Sequence, residues 1–284
     1  MGAPGRAARP DPGRPAGRAR AGLIALAAGL ALARPAAAAP RVFSLDQCAD
    51  QYVLALSPRE AIVGLSTRAD DADSRLRERA RGLPLRRSTL ESVLAARPDI
   101  VVRHWGGDAK LLAALRRHGV TVVDVPEAQD FAEVRDGLRK VGVALGRPGP
   151  AEALIGEMDA RLARAAGAWE GKRALYVTPG GATAGEGTLI GAMLKAAGLT
   201  SAAERPGYST VSLEALAMRP PTAVVLGFFD SFMLANTYWG PGRHQALRRA
   251  AQGRTIASLP GAVLGCPGWF VAEAAETLAL RAPK

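Results

Sequence analysis

From residue 42 onward, short apolar and mostly β-branched runs alternate with segments of helical periodicity. A chain with that alternation is confined to parallel sheets covered by helices on both faces. Strands are expected at 42–45, 62–65, 100–102 and 120–123, with helices at 47–56, 90–96, 109–118 and 131–145. Gly-Arg-Pro-Gly-Pro at 146–150 stops this series, because glycine ends one helix and Pro150 opens another. A helix follows with Leu154, Met158 and Leu162 spaced by four, and then a second α/β series begins. It has strands at 174–177, 223–226 and 255–258, and helices at 189–197, 213–218, 245–251 and 271–280. The economical reading is α/β: two Rossmann-like lobes, 41–146 and 172–284, joined by one long linker helix at 149–168.

An internal echo supports two lobes. Thr89-Leu90-Glu91 leads to Pro98 and then Val101-Val102, while Ser212-Leu213-Glu214 leads to Pro221 and then Val224-Val225, at a constant offset of 123. Ser88-Thr89-Leu90-Glu91 also fits a capping box, which gives Glu91 a local task; Val211 denies Glu214 the same one. Both carboxylates are expected at helix starts, away from the strand ends.

The formal net charge of +11 raises the question of nucleic acid. Six of the 37 basic residues and one of the 26 acidic ones lie in 1–38, however, and without them the charge falls to +6, scattered and without a basic run. No nucleic-acid partner is expected. Residues 1–38 read instead as a secretory signal: an Arg-rich start, 13 apolar residues from Ala21 to Ala33, then Ala36 to Ala39. A membrane-spanning helix takes about 20 residues, so a permanent anchor is not expected. Cleavage is expected near Ala38, giving a soluble periplasmic protein. Cys48 and Cys266 are the only cysteines. A long-range bridge, two buried thiols and two thiols on a binding site all remain open.

The ordered set from Arg41 to Leu280 is similar to the periplasmic substrate-binding proteins of ABC importers, the class that carries cobalamin, ferric siderophores and haem. The resemblance rests on Ser44-Leu45-Asp46, the Leu-Glu block at 90–102, Trp105-Gly106-Gly107, the linker helix and the second Leu-Glu block at 213–225. It implies two rigid lobes with a shallow cleft and no cofactor. It also implies Glu91 and Glu214 docking onto arginines of a membrane permease dimer driven by a cytoplasmic ATPase. A monomer is expected.

In open α/β sheets ligands lie beyond the carboxyl ends of the strands. That rule selects Asp46, Gln47, His104, Trp105, Gly106 and Gly107 in the first lobe. In the second it selects Gly180, Gly181, Thr183, Phe228 and Trp269, and loop residues Tyr208, Trp239 and Arg243 join them. Flat apolar area of this kind suits a corrinoid, ferric siderophore or haem better than a sugar or a free ion. His104 and His244 are candidate axial ligands to a bound metal; two such histidines are too few for a free-zinc site. Phe228 has a bland alternative in the core, and Arg243 in solvent. The glycine-rich stretch 180–187 lacks the Lys-Ser/Thr of a phosphate loop and reads as a turn that admits a bulky ligand. There is no Gly-x-Ser-x-Gly and no defensible catalytic set. An enzyme on a doubly wound fold is the first alternative, and a periplasmic sensor or scaffold subunit the second.

Overall fold

The β-branched runs pair as the alternation requires. The computed structural model describes residues 1, 2, 5, 39–230 and 244–283. The expected signal at 1–38 lies outside the described residues apart from Met1, Gly2 and Gly5. Among the described residues no helix is long and apolar enough to cross a membrane.

The first sheet holds β1 (Val42–Ser44), β2 (Ile62–Ser66), β3 (Leu85–Arg86), β4 (Ile100–Arg103) and β5 (Thr121–Asp124). They are all parallel, in the order β3-β2-β1-β4-β5. Between them run α1 (Gln47–Leu56), α2 (Arg77–Ala80), α3 (Leu90–Ala96) and α4 (Ala109–Arg117). After β5 come α5 (Phe131–Ala144) and α6 (Pro148–Ala165). Asp46, Asp108 and Asp130 cap α1, α4 and α5 by accepting from backbone N–H groups of the first turn.

The second sheet holds β6 (Arg173–Val177), β8 (Thr200–Ser201), β10 (Ala223–Gly227) and β11 (Thr255–Leu259), parallel, in the order β8-β6-β10-β11. Its helices are α7 (Leu189–Ala196), α8 (Leu213–Met218), α9 (Gln245–Ala251), α10 (Gly261–Leu264) and α11 (Val271–Ala279). An antiparallel pair, β7 (Ala182–Ala184) with β9 (Tyr208–Thr210), forms a small sheet of its own. The orders β2-β1-β4-β5 and β8-β6-β10-β11 are the same arrangement. The echo at offset 123 is therefore a repeat of structure: α3 feeds β4 and α8 feeds β10, each strand with a neighbour on both sides.

One core continues through both sheets. Tyr52, Leu138 and Met158 belong to the same buried cluster as Tyr176, Met193 and Leu278, so the punctuation at 146–150 does not divide the interior. The last helix supplies the closure. On α11, Glu276 accepts from Arg161 at 2.7 Å and Arg164 at 2.6 Å of α6, and Glu273 accepts from Arg75 at 2.8 Å. Just before it, Cys266 is bridged to Cys48 with Cα atoms 5.3 Å apart, and the Tyr52 hydroxyl donates to Pro267 O at 2.8 Å. Of the three states open for the cysteines, the structure forms the bridge.

Asp50 is buried beside β2, accepting from Ser66 N at 3.0 Å and Ser66 Oγ at 2.6 Å. Burial outweighs those bonds and pushes its pKa up to about 6. A raised carboxyl pKa means the fold holds its proton more tightly than the unfolded chain. Its stabilising effect is complete below the unfolded value of 3.8 and is lost as pH rises to about 6, by roughly 3 kcal/mol. Asp50→Asn removes this titration. Urea unfolding of both proteins at pH 4 and pH 7 should show the variant gaining about that much relative to the parent; a constant difference between them contradicts the shift.

Candidate functional site

The carboxyl edge of the first sheet is organised around Asp46, which is only 1% exposed. Its Oδ1 accepts from Cys48 N at 3.1 Å and Ala49 N at 2.9 Å. Its Oδ2 accepts from His104 N at 2.7 Å, Trp105 N at 3.2 Å and Gly106 N at 2.8 Å. The side chain is thus committed to joining the β1–α1 turn to the β4–α4 loop, and it positions Trp105 rather than facing a ligand. Gly106 is required in that loop, because a Cβ there would lie 2.7 Å from Leu45 O; Gly107 continues the same turn. Gln47 is buried and donates to Asp73 at 2.7 Å.

Trp105 projects outward and is 56% exposed. His104 turns inward: Nδ1 lies 3.0 Å from Val125 O and Nε2 lies 3.2 Å from Glu127 Oε1. Glu127 in turn acts on Tyr208 of the second lobe, whose phenol pKa is raised first by solvent lost around it and then by that carboxylate. His244 uses Nδ1 to cap α9, accepting from Ala246 N at 3.2 Å. His104 thus has both ring nitrogens engaged, and His244 its Nδ1. Among the described residues no group of three His, Cys, Asp or Glu is placed to hold a metal ion.

In the second lobe Gly180 and Gly181 form the turn from β6 into β7, closed by Gly181 N donating to Thr178 O at 2.8 Å. Thr183 is buried on β7, and Tyr208 is 68% exposed on β9. The glycine-rich stretch admits its own chain: a Cβ on Gly185 would collide with Arg205 O. Phe228 ends β10 half-buried with φ +63°, against Gly261. Trp269 is a core residue, only 9% exposed, with edge-on contacts to Tyr52 and Phe270 at centroid distances of 5.4 and 5.2 Å. Trp239 and Arg243 lie outside the described residues. The expected aromatic surface thus reduces, among the described residues, to Trp105 and Tyr208 with Phe228 at its margin.

A cavity of about 720 Å³ opens between the lobes. Gln129, Asp130 and Glu133 line one wall, and Glu186, Lys195 and Arg205 the other. Its volume lies within the roughly 300–1,000 Å³ of small-molecule sites. Its walls mix polar and apolar groups, and of the segments selected from the sequence only the glycine-rich stretch reaches it, through Glu186 and Gly187. The strand-end rule applied to β5 and β8 reaches 125–130 and 202–206, but β8 is two residues long and has no periodic signature to read.

Glu91 and Glu214 are each the second residue of their helices, and both are exposed. Thr89, not Ser88, caps α3, accepting from Ser92 N at 3.3 Å, as Ser212 caps α8 by accepting from Ala215 N at 3.1 Å. The capping box read at 88–91 does not form, because the helix starts one residue later. The two glutamates are local equivalents. Ser88 Oγ donates to Leu45 O at 2.6 Å, next to the end of β1, so α3 begins at the carboxyl edge of the sheet and not away from it.

Two doubly wound lobes thus flank a cavity of small-molecule size. Residues 42–228 match the family described as periplasmic binding protein, and the chain belongs to it. A cobalamin-binding protein of Halobacterium salinarum is 30% identical over 199 residues, covering 66% of this chain and 53% of that protein. An uncharacterized ABC transporter substrate-binding lipoprotein of Bacillus subtilis, YvrC, is 25% identical over 198 residues, covering 65% and 62%. The chain thus spans little more than half the length of these curated relatives. A periplasmic heme-binding protein from Pseudomonas aeruginosa superposes with a TM-score of 0.62 at 25% identity, covering 86% of this chain and 92% of that one. Family membership places the protein on the extracytoplasmic side and among solute carriers, not enzymes.

Proposed function

We propose that the chain, after removal of residues 1–38 near Ala38, captures a bulky metal chelate between its lobes and delivers it to an ABC permease dimer. The interlobe cavity, together with one exposed aromatic on each lobe, Trp105 and Tyr208, supports this reading. The chelate is a corrinoid, ferric siderophore or haem, and the halobacterial relative puts a corrinoid first. The metal arrives inside the chelate, so the protein needs shape and aromatic area more than ligating side chains. Titration of tryptophan fluorescence with cobalamin, haem and ferric siderophores should give one saturable site per chain, without turnover. Trp105→Ala should weaken binding about tenfold. Silence across the panel rejects the ligand class, and product formation favours an enzyme.

The equivalent placement of Glu91 and Glu214 supports contact with basic residues of the two permease subunits. Each exposed pair is worth only about 0.2–1 kcal/mol. The double substitution Glu91→Ala plus Glu214→Ala should therefore depress uptake well beyond either single change. Unchanged uptake removes the docking role. Lost chelate affinity reassigns both residues to the cleft, whose edge α3 shares.

A further inference from the structure

A second cavity, of about 450 Å³, lies wholly within the second lobe, behind the β7–β9 pair and against α8. The segment 203–206 separates it from the interlobe space and lines both. Three guanidinium groups border it, those of Arg173, Arg205 and Arg219, against a single carboxylate, Glu204. Glu204 reaches Arg219 at 3.4 Å. Arg173 has only the carbonyl of Arg219, at 3.4 Å, as a side-chain partner among the described residues, and Arg205 has none. The lining therefore carries a positive excess inside a concave wall.

Thr183 supplies the second observation. It lines the same cavity, is 3% exposed, and its Oγ1 is buried with no hydrogen-bond partner. A buried hydroxyl in that condition is costly unless something completes it. Ser209 faces it in register across the β7–β9 pair, so both side chains lie on one face of the pair.

From the guanidinium groups and the orphaned hydroxyl we infer that this cavity binds a tetrahedral oxyanion of the phosphate type, held by Arg173 and Arg219 and completed by the Thr183 hydroxyl. Guanidinium forks match such oxygens in pairs, and a hydroxyl donates one further bond. The site is separate from the chelate cleft and does not depend on what fills it.

Calorimetric titration of the whole protein with inorganic phosphate, at constant ionic strength in chloride, tests this. One saturable site per chain is expected. Arg173→Gln combined with Arg219→Gln should weaken it about tenfold or more. Thr183→Val keeps the shape and removes the unpaired oxygen, so the variant should be at least as stable as the parent in chloride and yet bind phosphate more weakly. A parallel arm with glycerol 2-phosphate separates the sources: equal or tighter binding assigns a phosphomonoester, and its exclusion assigns the free ion. Absence of saturation in both arms, or affinity unchanged in both variants, overturns the proposal.

Discussion

Asp46→Ala should unfold in urea with a stability loss on the order of 5 kcal/mol, the largest effect of any single substitution considered. Five backbone N–H groups lose their acceptor at once, from Cys48 and Ala49 at the start of α1 and from His104, Trp105 and Gly106 in the β4 loop. A bond to a charged group contributes roughly 1.5–3 kcal/mol, and buried donors left unpaired add their own desolvation cost. Against a typical net stability of about 5–15 kcal/mol this is a large fraction. Asp46→Asn should lose about half as much, since one amide oxygen still serves one set of donors while the NH2 faces the other. The variants should also lose chelate affinity in proportion, because the loop that presents Trp105 is no longer held. A stability loss below 1 kcal/mol would mean that the five bonds are replaceable by water.

Opening the Cys48–Cys266 bridge should come second. The cysteines are separated by 218 residues, and closing a loop of that size in the unfolded chain corresponds to about 5 kcal/mol in the entropic account, an upper figure. The replacement Cys48→Ser with Cys266→Ser should lower the unfolding midpoint accordingly, without altering the secondary structure of either sheet. Mass spectrometry of the non-reduced protein should find no free thiol. Two free thiols, or a midpoint insensitive to reductant, would contradict the bridge.

Much of the fold is legible in the sequence, because strands buried on both faces and helices with one apolar stripe leave separate periodic signatures. The runs at 100–102 and 223–226 needed nothing more. Elements defined by pairing across the chain were not legible: β3, β8 and the β7–β9 pair are two or three residues long, and their partners are distant. The site was read less well for a related reason. Trp269 and Trp105 both follow strand ends and both offer flat apolar area, yet Trp269 is spent against Tyr52 while Trp105 stays outside. Asp46 carries no sign of its five donors, since three of them lie 58–60 residues away. For Glu91 the frame was off by one residue, so the capping box does not form and the contrast with Glu214 disappears.

The crossing of the C-terminal segment onto the first lobe also fixes an order in time. Cys48, Tyr52 and Arg75 are made about two hundred residues before their partners Cys266, Pro267 and Glu273. Domains generally fold from the N-terminus as they are synthesised, but here the first sheet emerges with one flank of its interior uncovered. Nearly 150 residues separate its last strand, β5, from the helix that closes it. A chain cut short by its final twenty residues therefore loses the cover of its beginning along with its end.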